Sequence, residues 1–464
     1  MTIVEQMADF AVMSLVDDLT DSTKTQLKIR MIDAFGCAIG AVDADPVLKV
    51  GQFVADVSGY GVCSLIGGGK SAPDRATLFN SALIRYLDFN DSYLAPNEAC
   101  HPSDNLGAVL AAAELADADG ATLLTALAVA YQVQCRLADA APVRARGFDH
   151  TTHLAYSVAA GVSRALGFDA WHAANAIAIS GTALNALRVT RTGSLSHWKG
   201  LAAPFAASCA MQASLLARRG ITGPTEVFEG NKGFMQAIAG AFTIDWANQQ
   251  LDRVDTTIVK RYNAEIHSQT AIEAALGLQQ AHGFRAAEID HVDVDVFDVA
   301  HAIIGGGEEG DKTLVFTKED ADHSLPYLIA VALLDHAVMP DQFTGERIAR
   351  ADVQSLLCRV SVHPLADYSK RFPGEMPSRV TVTLNDGRVL TRALLDYPGF
   401  RSRPQSWNDA LEKFTTLSAP HASDSAIGNI AAAVNNIENI RVVELTRLLR
   451  DLGASATAGA RDAA

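Results

Sequence analysis

One stretch near residue 90 contains several side chains that can transfer protons. It reads LDFNDSY at residues 87–93 and CHPSDN at residues 100–105, so carboxylates, a hydroxyl and a histidine follow one another closely. Histidine and carboxylate side chains are the usual general acids and bases of enzymes. Helix capping is the alternative interpretation, with Ser103 or Asp104 at the start of the next helix and His101 without a chemical role. The spacing alone favours neither interpretation.

Three further clusters combine histidine or lysine with other polar residues. DHTTH at residues 149–153 opens a predicted helix, where exposed backbone N–H groups favour anions. Lys199 precedes a long apolar helix at its positive end, so it is either a solvated surface residue or a group that binds an anion. The third cluster is KRYNAEIHSQ at residues 260–269. Lone lysines and histidines in such places more commonly have surface or capping roles.

The overall composition argues against some classes of protein. The chain has 464 residues, which suggests two or three domains, and it is 49% hydrophobic and 20% charged, as packed globular proteins are. The formal net charge of −15 argues against a nucleic acid partner. If the substrate is an anion, the protein must gather positive charge locally against its own overall field.

The six cysteines occur singly, without a CxxC pair. Iron–sulfur clusters and zinc sites usually need closer spacing, so no metal site is predicted. Most of these residues are expected to be small buried apolar side chains in a reducing compartment. They are Cys37, Cys63, Cys100, Cys135, Cys209 and Cys358.

Two stretches, residues 170–187 and 200–217, lack Lys, Arg, Asp and Glu over about the length of a membrane span. They are rich in Ala, Ser and Asn and include Pro204 and Gln212, so buried helices are predicted instead. Residues 1–18 carry acidic side chains and no basic region, which is not typical of a signal peptide. We therefore expect a cytoplasmic protein with no membrane partner.

Hydrophobic periodicity predicts a mainly α fold with a large all-helical domain and a smaller α+β domain. The helical domain is expected at residues 1–263, with a return at 401–453 and a disordered tail at 454–464. Its predicted helices are 22–41 (with Asp21 as N-cap), 104–116, 121–138, 153–166, 171–179, 201–219, 409–415 and 426–453.

The α+β domain is predicted at residues 264–400, where the apolar pattern changes period. Residues 291–297 alternate with period two, as a half-exposed strand does, and residues 356–362 are a second candidate strand. Asn385-Asp386-Gly387 lies between two further strand patterns and predicts a hairpin. Those two patterns span 379–384 and 388–395, and helices are predicted at 268–282 and 323–336.

Four segments together resemble the MmgE/PrpD family, which includes 2-methylcitrate dehydratases and cis-aconitate decarboxylases. They are LDFNDSYLAPNEACHPSDNLGAVLAAAE, HWKGLAAPFAA, NAEIHSQTAIEAA and DADHSLPYLIAVALL. The resemblance runs over nearly the whole chain, and the HPSDN and EIHSQTAIEA pieces are closer to the dehydratase branch. It implies a helical domain and a lid, a homodimer, an active site in the cleft between the domains, and neither a metal nor an organic cofactor.

The same resemblance implies the residues of the active site. The family's positions correspond to Asp88, Ser92, His101, His150, Lys199, Lys260 and Tyr327. Glu265 and His267 match the dehydratase-like motif, and decarboxylases place a histidine at the position of Glu265. His153 remains an alternative to His150, and an insertion at residues 95–99 leaves the exact substrate open.

Dehydrating a citrate-like polycarboxylate requires loss of a proton next to a carboxylate and departure of a hydroxide. Preorganised cations must stabilise the developing charge, and Lys199 and Lys260 are the candidates, with Arg401 and Arg403 as weaker ones. Proton transfer and hydrogen bonding to the substrate complete the mechanism. The residues assigned to these roles are His101 paired with Asp88, His150 as donor to the leaving hydroxyl, and Tyr327 as a hydrogen-bonding group; base and acid are left open.

Three alternatives use the same scaffold. Decarboxylation of cis-aconitate and epimerisation of an imino-dicarboxylate also begin with a stabilised carbanion. A non-catalytic dimeric relative that binds metabolites is the third. Fold-level likeness does not decide between them.

Overall fold

The computed structural model describes residues 1–452, so the predicted tail at 454–464 lies outside the described residues. The chain divides into two units. The first consists of Met1–Thr190, Gly200–Thr257 and the described residues from Ser406 onwards, and the second of Arg191–Lys199 and Ile258–Gln405. Residues 191–199, 258–263 and 401–405, predicted in the helical domain, thus group with the second unit.

Over the residues that the structure describes, the first unit is mainly helical and has two short antiparallel strand pairs, Cys63–Ser64 with Lys70–Ser71 and Tyr93–Ala95 with Glu98–Cys100. Its α-helices are Ile3–Met13, Asp21–Ile39, Asp45–Asp56, Pro73–Tyr86, Leu106–Leu115, Gly120–Ala140, Thr151–Ala165, Ala170–Ala183, most of Trp198–Ala217, Trp407–Ser418, Asp424–Asn435 and Val442–Arg450. This mainly helical architecture confirms the predicted fold class.

Small residues let the central helices approach closely. Helix Gly120–Ala140 packs against Thr151–Ala165, and a Cβ on Gly161 would lie 2.9 Å from the Cβ of Ala130. A larger side chain at this position would push the two helices apart.

Side-chain capping explains several of the helix boundaries. Asp119 caps the helix that follows it by accepting a hydrogen bond from the Thr122 N–H at 2.8 Å, in agreement with the predicted break at this point. Asp21 is not the N-cap that was predicted, because the Thr20 hydroxyl accepts from the Thr23 N–H at 3.1 Å. The single helix predicted at 426–453 is wrong, because the chain breaks between Asn435 and Val442.

The second unit contains a four-stranded sheet in the order Val360–Pro364, Ile289–Val296, Ser378–Leu384, Val389–Leu394. The first two strands are parallel and the other neighbours antiparallel. Its α-helices are Gln269–His282, Asp298–Ile304, Lys318–Ala321, Leu325–Asp335, Gly345–Ile348, Ala351–Leu357 and Ala366–Arg371. Helix Gln269–His282 packs on the two last strands of the sheet.

The predicted hairpin is confirmed, since Thr383 pairs with Val389 across a turn that contains Gly387 at φ 86°. The strand predicted at residues 356–362 is partly wrong, because helix Ala351–Leu357 occupies its first part. That helix buries its apolar side chains on one face, and such a short apolar run does not distinguish helix from strand.

Helix Trp198–Ala217 is long and apolar enough to cross a membrane by length and composition alone. However, 61% of its apolar window is buried within the protein, as in the core helix of a globular fold.

Candidate active site

Asp88 follows the helix Pro73–Tyr86 and lies next to a cation. Its backbone adopts a left-handed conformation (φ 55°), which turns the chain sharply after the helix. Arg85, in the last turn of that helix, donates from Nη1 to Asp88 Oδ1 at 2.5 Å, and both side chains are buried. The carboxylate of Asp88 is therefore held in one position by a buried guanidinium.

Asp91, which the sequence did not single out, joins three parts of the first unit. Its Oδ2 accepts a hydrogen bond from the Tyr131 hydroxyl at 2.8 Å, and its Oδ1 accepts from the Ser103 N–H at 3.0 Å. Burial and the adjacent Asp91 carboxylate raise the pKa of Tyr131 well above its usual value, so the phenol stays a neutral donor. The backbone carbonyl of Asp91 lies 2.8 Å from His101 Nδ1.

This contact fixes the tautomer of His101. A carbonyl oxygen can only accept a hydrogen bond, so Nδ1 of His101 carries a proton. In the neutral imidazole the lone pair is then on Nε2, which makes that nitrogen the basic one. The Ser92 hydroxyl oxygen lies 3.1 Å from Nδ1 and is buried with the ring.

His150, rather than His153, lies next to His101. The two rings have centroids 5.3 Å apart and meet edge to face at 71°. His150 Nδ1 is 3.6 Å from Asp149 Oδ1. His153 is fully buried, with Nε2 2.8 Å from the carbonyl oxygen of Ala141, and burial lowers its pKa. The geometry thus distinguishes two histidines between which the sequence could not choose.

Ser103 and Asp104 do not cap the following helix. Asn90 Nδ2 donates to Ser103 Oγ at 2.9 Å and to Asp104 Oδ1 at 3.0 Å. The N-cap of helix Leu106–Leu115 is Asn105, which makes no side-chain capping bond. The capping interpretation is therefore wrong for these two residues, which instead hold the loop that carries Asp88 and Asp91.

Lys199 lies in a buried ion pair of the second unit. Its Nζ donates to Asp322 Oδ1 at 2.5 Å and lies 2.9 Å from His323 Nδ1, and only 2% of the residue is exposed. Lys318 donates to the other oxygen of Asp322 at 2.7 Å. Burial raises the pKa of Asp322, but the adjacent Lys199, Lys318 and His323 outweigh it and hold this pKa below its usual value. Lys199 is therefore not a solvated surface lysine.

Glu265 and His267 form a second buried pair. His267 donates its backbone N–H to Glu265 Oε2, and its Nδ1 lies near Oε1, both at 2.7 Å. Burial raises the pKa of Glu265, but His267, His323 and Lys260 lower it by more, to about 2. Glu265 is thus an ionised carboxylate at neutral pH.

Lys260 is fully buried in the second unit. The residue before it is held by a backbone hydrogen bond from the Val259 N–H to the Gly399 carbonyl at 3.1 Å. A Cβ on Gly399, at φ 118°, would lie 2.2 Å from the carbonyl oxygen of Val259, so this approach requires glycine. Lys199 and Lys260 thus place two buried ammonium groups in a chain of net charge −15.

The remaining predicted site residues are Tyr327, Arg401 and Arg403, and Tyr327 and Arg403 contact protein groups outside the residues described above. The Tyr327 hydroxyl donates to the carbonyl of Gln342, and burial raises its pKa. Arg401 and Arg403 are exposed, and Arg403 Nη1 lies 3.3 Å from Asp396 Oδ1. These side chains are therefore weaker candidates for substrate contacts than the buried lysines.

Sequence reasoning missed Asp91 and Tyr131 in the first unit and Asp322 and His323 in the second. Asp91, Asp322 and His323 lie inside segments that carried the family resemblance, so their signal was present but had no role attached. Tyr131 had no signal, since it lies in the middle of a long apolar helix.

The buried group formed by Lys199, Asp322 and His323 in the second unit is better suited to binding an anion than a metal ion. Asp322 and His323 are residue types that ligate metals, but the Lys199 ammonium lies 2.5 and 2.9 Å from their ligand atoms. A bound cation would have to displace that ammonium or be repelled by it.

Comparison with known proteins identifies the same family over both units. The model of the MmgE/PrpD N-terminal domain matches residues 5–247, and that of the MmgE/PrpD C-terminal domain matches residues 262–439. A 2-methylcitrate dehydratase of Cupriavidus necator is 29% identical over 415 residues, which cover 83% of this chain and 84% of the relative. A 2-methylcitrate dehydratase of Salmonella typhi is 27% identical over 412 residues, covering 83% of each chain.

The same comparison includes a relative with a different activity in its name. A cis-aconitate decarboxylase of Mus musculus is 23% identical over 463 residues, covering 94% of this chain and 91% of the relative. The two domain models together span most of the chain, and the first alone matches more than half of it. The chain therefore belongs to the MmgE/PrpD family.

Proposed function

We propose that this chain is a hydro-lyase that dehydrates a small citrate-like polycarboxylate, with 2-methylcitrate as the first candidate. The observation that carries the proposal is the contact between the carbonyl of Asp91 and His101 Nδ1. It leaves Nε2 of a buried imidazole as a base, which is what abstraction of a proton next to a carboxylate requires.

In the proposed reaction, His101 Nε2 takes the proton from the carbon next to a substrate carboxylate. The electron pair of the C–H bond forms the double bond, and the C–O bond of the neighbouring carbon breaks. The departing hydroxide takes a proton from His150 and leaves as water. To complete the cycle, His101 releases one proton to solvent and His150 takes up one proton from solvent.

Lys199 and Lys260 are assigned to the substrate carboxylates and to the charge that develops on them. Both are buried, so their interaction with an anion is screened less than that of a surface lysine. Asp322 shares the Lys199 ammonium and keeps it in place before an anion binds.

Dehydration is favoured over decarboxylation by Glu265 and by the names of the relatives. The decarboxylases of the family are expected to have a histidine at this position, whereas Glu265 is a carboxylate paired with His267. The first relatives compared are named 2-methylcitrate dehydratases.

The experiment is proton NMR of the purified protein with 2-methylcitrate, citrate, cis-aconitate and iminodisuccinate in parallel. Olefinic signals from 2-methylcitrate or citrate support the proposal. Loss of carbon dioxide from cis-aconitate, or stereochemical scrambling of iminodisuccinate, without any dehydration would replace it with the corresponding alternative. No conversion of any of the four would contradict it.

A further inference from the structure

Lys413 is a buried lysine for which neither the motifs nor the proposed chemistry has a role. It lies in helix Trp407–Ser418, near the end of the chain, and is 6% exposed. Its Nζ donates to the carbonyl oxygen of Phe89 at 2.7 Å and lies 3.6 Å from the centroid of the Phe89 ring. The same ammonium is 2.7 Å from Oδ1 of Asp33, which is 1% exposed.

Close packing of two helices fixes this ammonium. Lys413 lies next to Phe414, and a Cβ on Gly36 would be 2.9 Å from the Cα of Phe414. Helix Asp21–Ile39, which carries Gly36 and Asp33, is therefore as near to helix Trp407–Ser418 as two backbones allow at this point. The position of Nζ is set by this contact and by Asp33.

The group that Lys413 holds is in the loop of the candidate proton-transfer site. The carbonyl of Phe89 lies between Asp88, whose φ is 55°, and Asp91, whose own carbonyl fixes His101. A buried carbonyl needs a donor, and a charged donor gives a stronger hydrogen bond than a neutral one. A strained backbone conformation persists only where its surroundings maintain it.

We infer that Lys413 is a positioning residue for this site: through the carbonyl of Phe89 it sets the loop at residues 88–92, and through Asp91 the orientation of the His101 ring. The inference rests on the proposed function, in which His101 is the base. Lys413 acts through the backbone of the loop, and Asp33 acts by keeping the ammonium in place.

The test must separate positioning from stability, because removing Lys413 alone leaves Asp33 as an unpaired buried charge. The double variant Lys413→Met/Asp33→Asn removes both charges and keeps the side-chain volumes similar. The matched control is Lys28→Met/Glu438→Gln. Lys28 lies in helix Asp21–Ile39, the helix that carries Asp33. Like Lys413, it pairs with a carboxylate, Glu438 at 2.8 Å, and donates to a backbone carbonyl, that of Asn435, at 2.8 Å.

We expect the double variant to fold, with kcat lowered about 10- to 100-fold and KM changed little, because displacement of a catalytic group by about 1 Å has effects of this size. The control should keep the wild-type kcat. A folded double variant with wild-type kcat would overturn the inference. If it does not fold, Lys413→Arg decides by the same criterion, since arginine keeps the charge but places its donors differently.

A second readout does not depend on turnover. Nitrogen-15 NMR of the imidazole of His101 reports which ring nitrogen carries the proton. The wild type is expected to have the proton on Nδ1, and the double variant a mixture of tautomers. If the wild type converts no substrate, the proposed function fails while this readout still tests the positioning role; unchanged tautomers in the variant would contradict that role.

Discussion

The carbonyl oxygen of Asp91 lies 2.8 Å from Nδ1 of His101, and the side chain of the same aspartate is held by Tyr131 and by the backbone of Ser103. One residue thus connects a helix of the core to the orientation of the candidate base. The atom that orients the imidazole is the backbone carbonyl of Asp91. The Asp91 carboxylate therefore affects His101 only indirectly, by holding the loop in place.

Replacing His101 with Asn should lower kcat by about 100-fold or more with little change in KM, since placed proton-transfer groups typically contribute that much. Steady-state kinetics on the substrate identified by NMR measures it. The control is His172→Gln, because His172 is a partly exposed histidine that also contacts an aspartate, Asp169, at 2.8 Å. Equal losses in both variants would remove the catalytic role from His101.

Replacing Tyr131 with Phe should affect stability and activity together. The variant leaves Oδ2 of the buried Asp91 without its donor, at a cost of about 1–3 kcal/mol in the free energy of unfolding. Urea unfolding measures this cost, and kcat should fall because the loop is less firmly held. Tyr156→Phe is the control, since that buried hydroxyl is 3.4 Å from its acceptor, the carbonyl of Gly181. A Tyr131→Phe enzyme as stable and active as the control would contradict the role of Asp91.

The sequence predicts the mainly helical fold and the α+β part because their apolar periods differ, and the sheet alternates as expected along Ile289–Val296. It fails where short patterns are ambiguous, as at residues 356–362, and where the cap is one residue away, as with Thr20 and Asp21. Such boundaries depend on which side chain reaches a free backbone N–H, which periodicity does not report.

The candidate site also contains residues that the sequence predicts and residues that it does not. Motifs predict His101 and Lys199, because these residue types suggest chemistry wherever they occur. Their partners are not predicted, since Asp91 acts through a carbonyl and Asp322 lies 123 residues from Lys199 along the chain. Long-range pairing of this kind is a property of the fold. The domain boundaries predicted from the apolar pattern and the homodimer implied by the family resemblance remain predictions.

Replacing Lys199 with Met should raise KM and lower kcat/KM, because an ammonium that binds a substrate carboxylate acts in both the ground state and the transition state. The variant also leaves Asp322 with one fewer cation. Breaking a buried pair costs about 3–5 kcal/mol, and the loss should be smaller here because Lys318 still contacts Asp322. Lys199→Met/Asp322→Asn should recover stability but not KM. Recovery of both would reduce Lys199 to a structural role.

Activity should not depend on a metal ion. Prolonged dialysis against a chelator should leave kcat essentially unchanged, because Lys199 is near the ligand atoms of Asp322 and His323 and would compete with a cation. Metal analysis of the dialysed protein provides the control. A large loss of kcat that iron or zinc restores would contradict the proposal of a cofactor-free reaction.

The stability of the second unit should fall in acid through Glu265. Its pKa is about 2 in the folded protein against an ordinary 4.5, because His267, His323 and Lys260 stabilise the carboxylate by more than burial destabilises it. A depressed folded pKa contributes stability above the unfolded pKa, and that contribution is lost as the pH falls from about 4.5 towards 2. The shift corresponds to about 3 kcal/mol.

Urea unfolding of the wild type and Glu265→Gln at pH 7, 5 and 3.5 measures this contribution. The wild type should be the more stable at pH 7, and the difference should shrink only below pH 4.5. Glu346→Gln, at an exposed position of the same unit, should show no such trend. A difference between wild type and Glu265→Gln that stays constant down to pH 3.5 would mean that Glu265 is not held ionised by these neighbours.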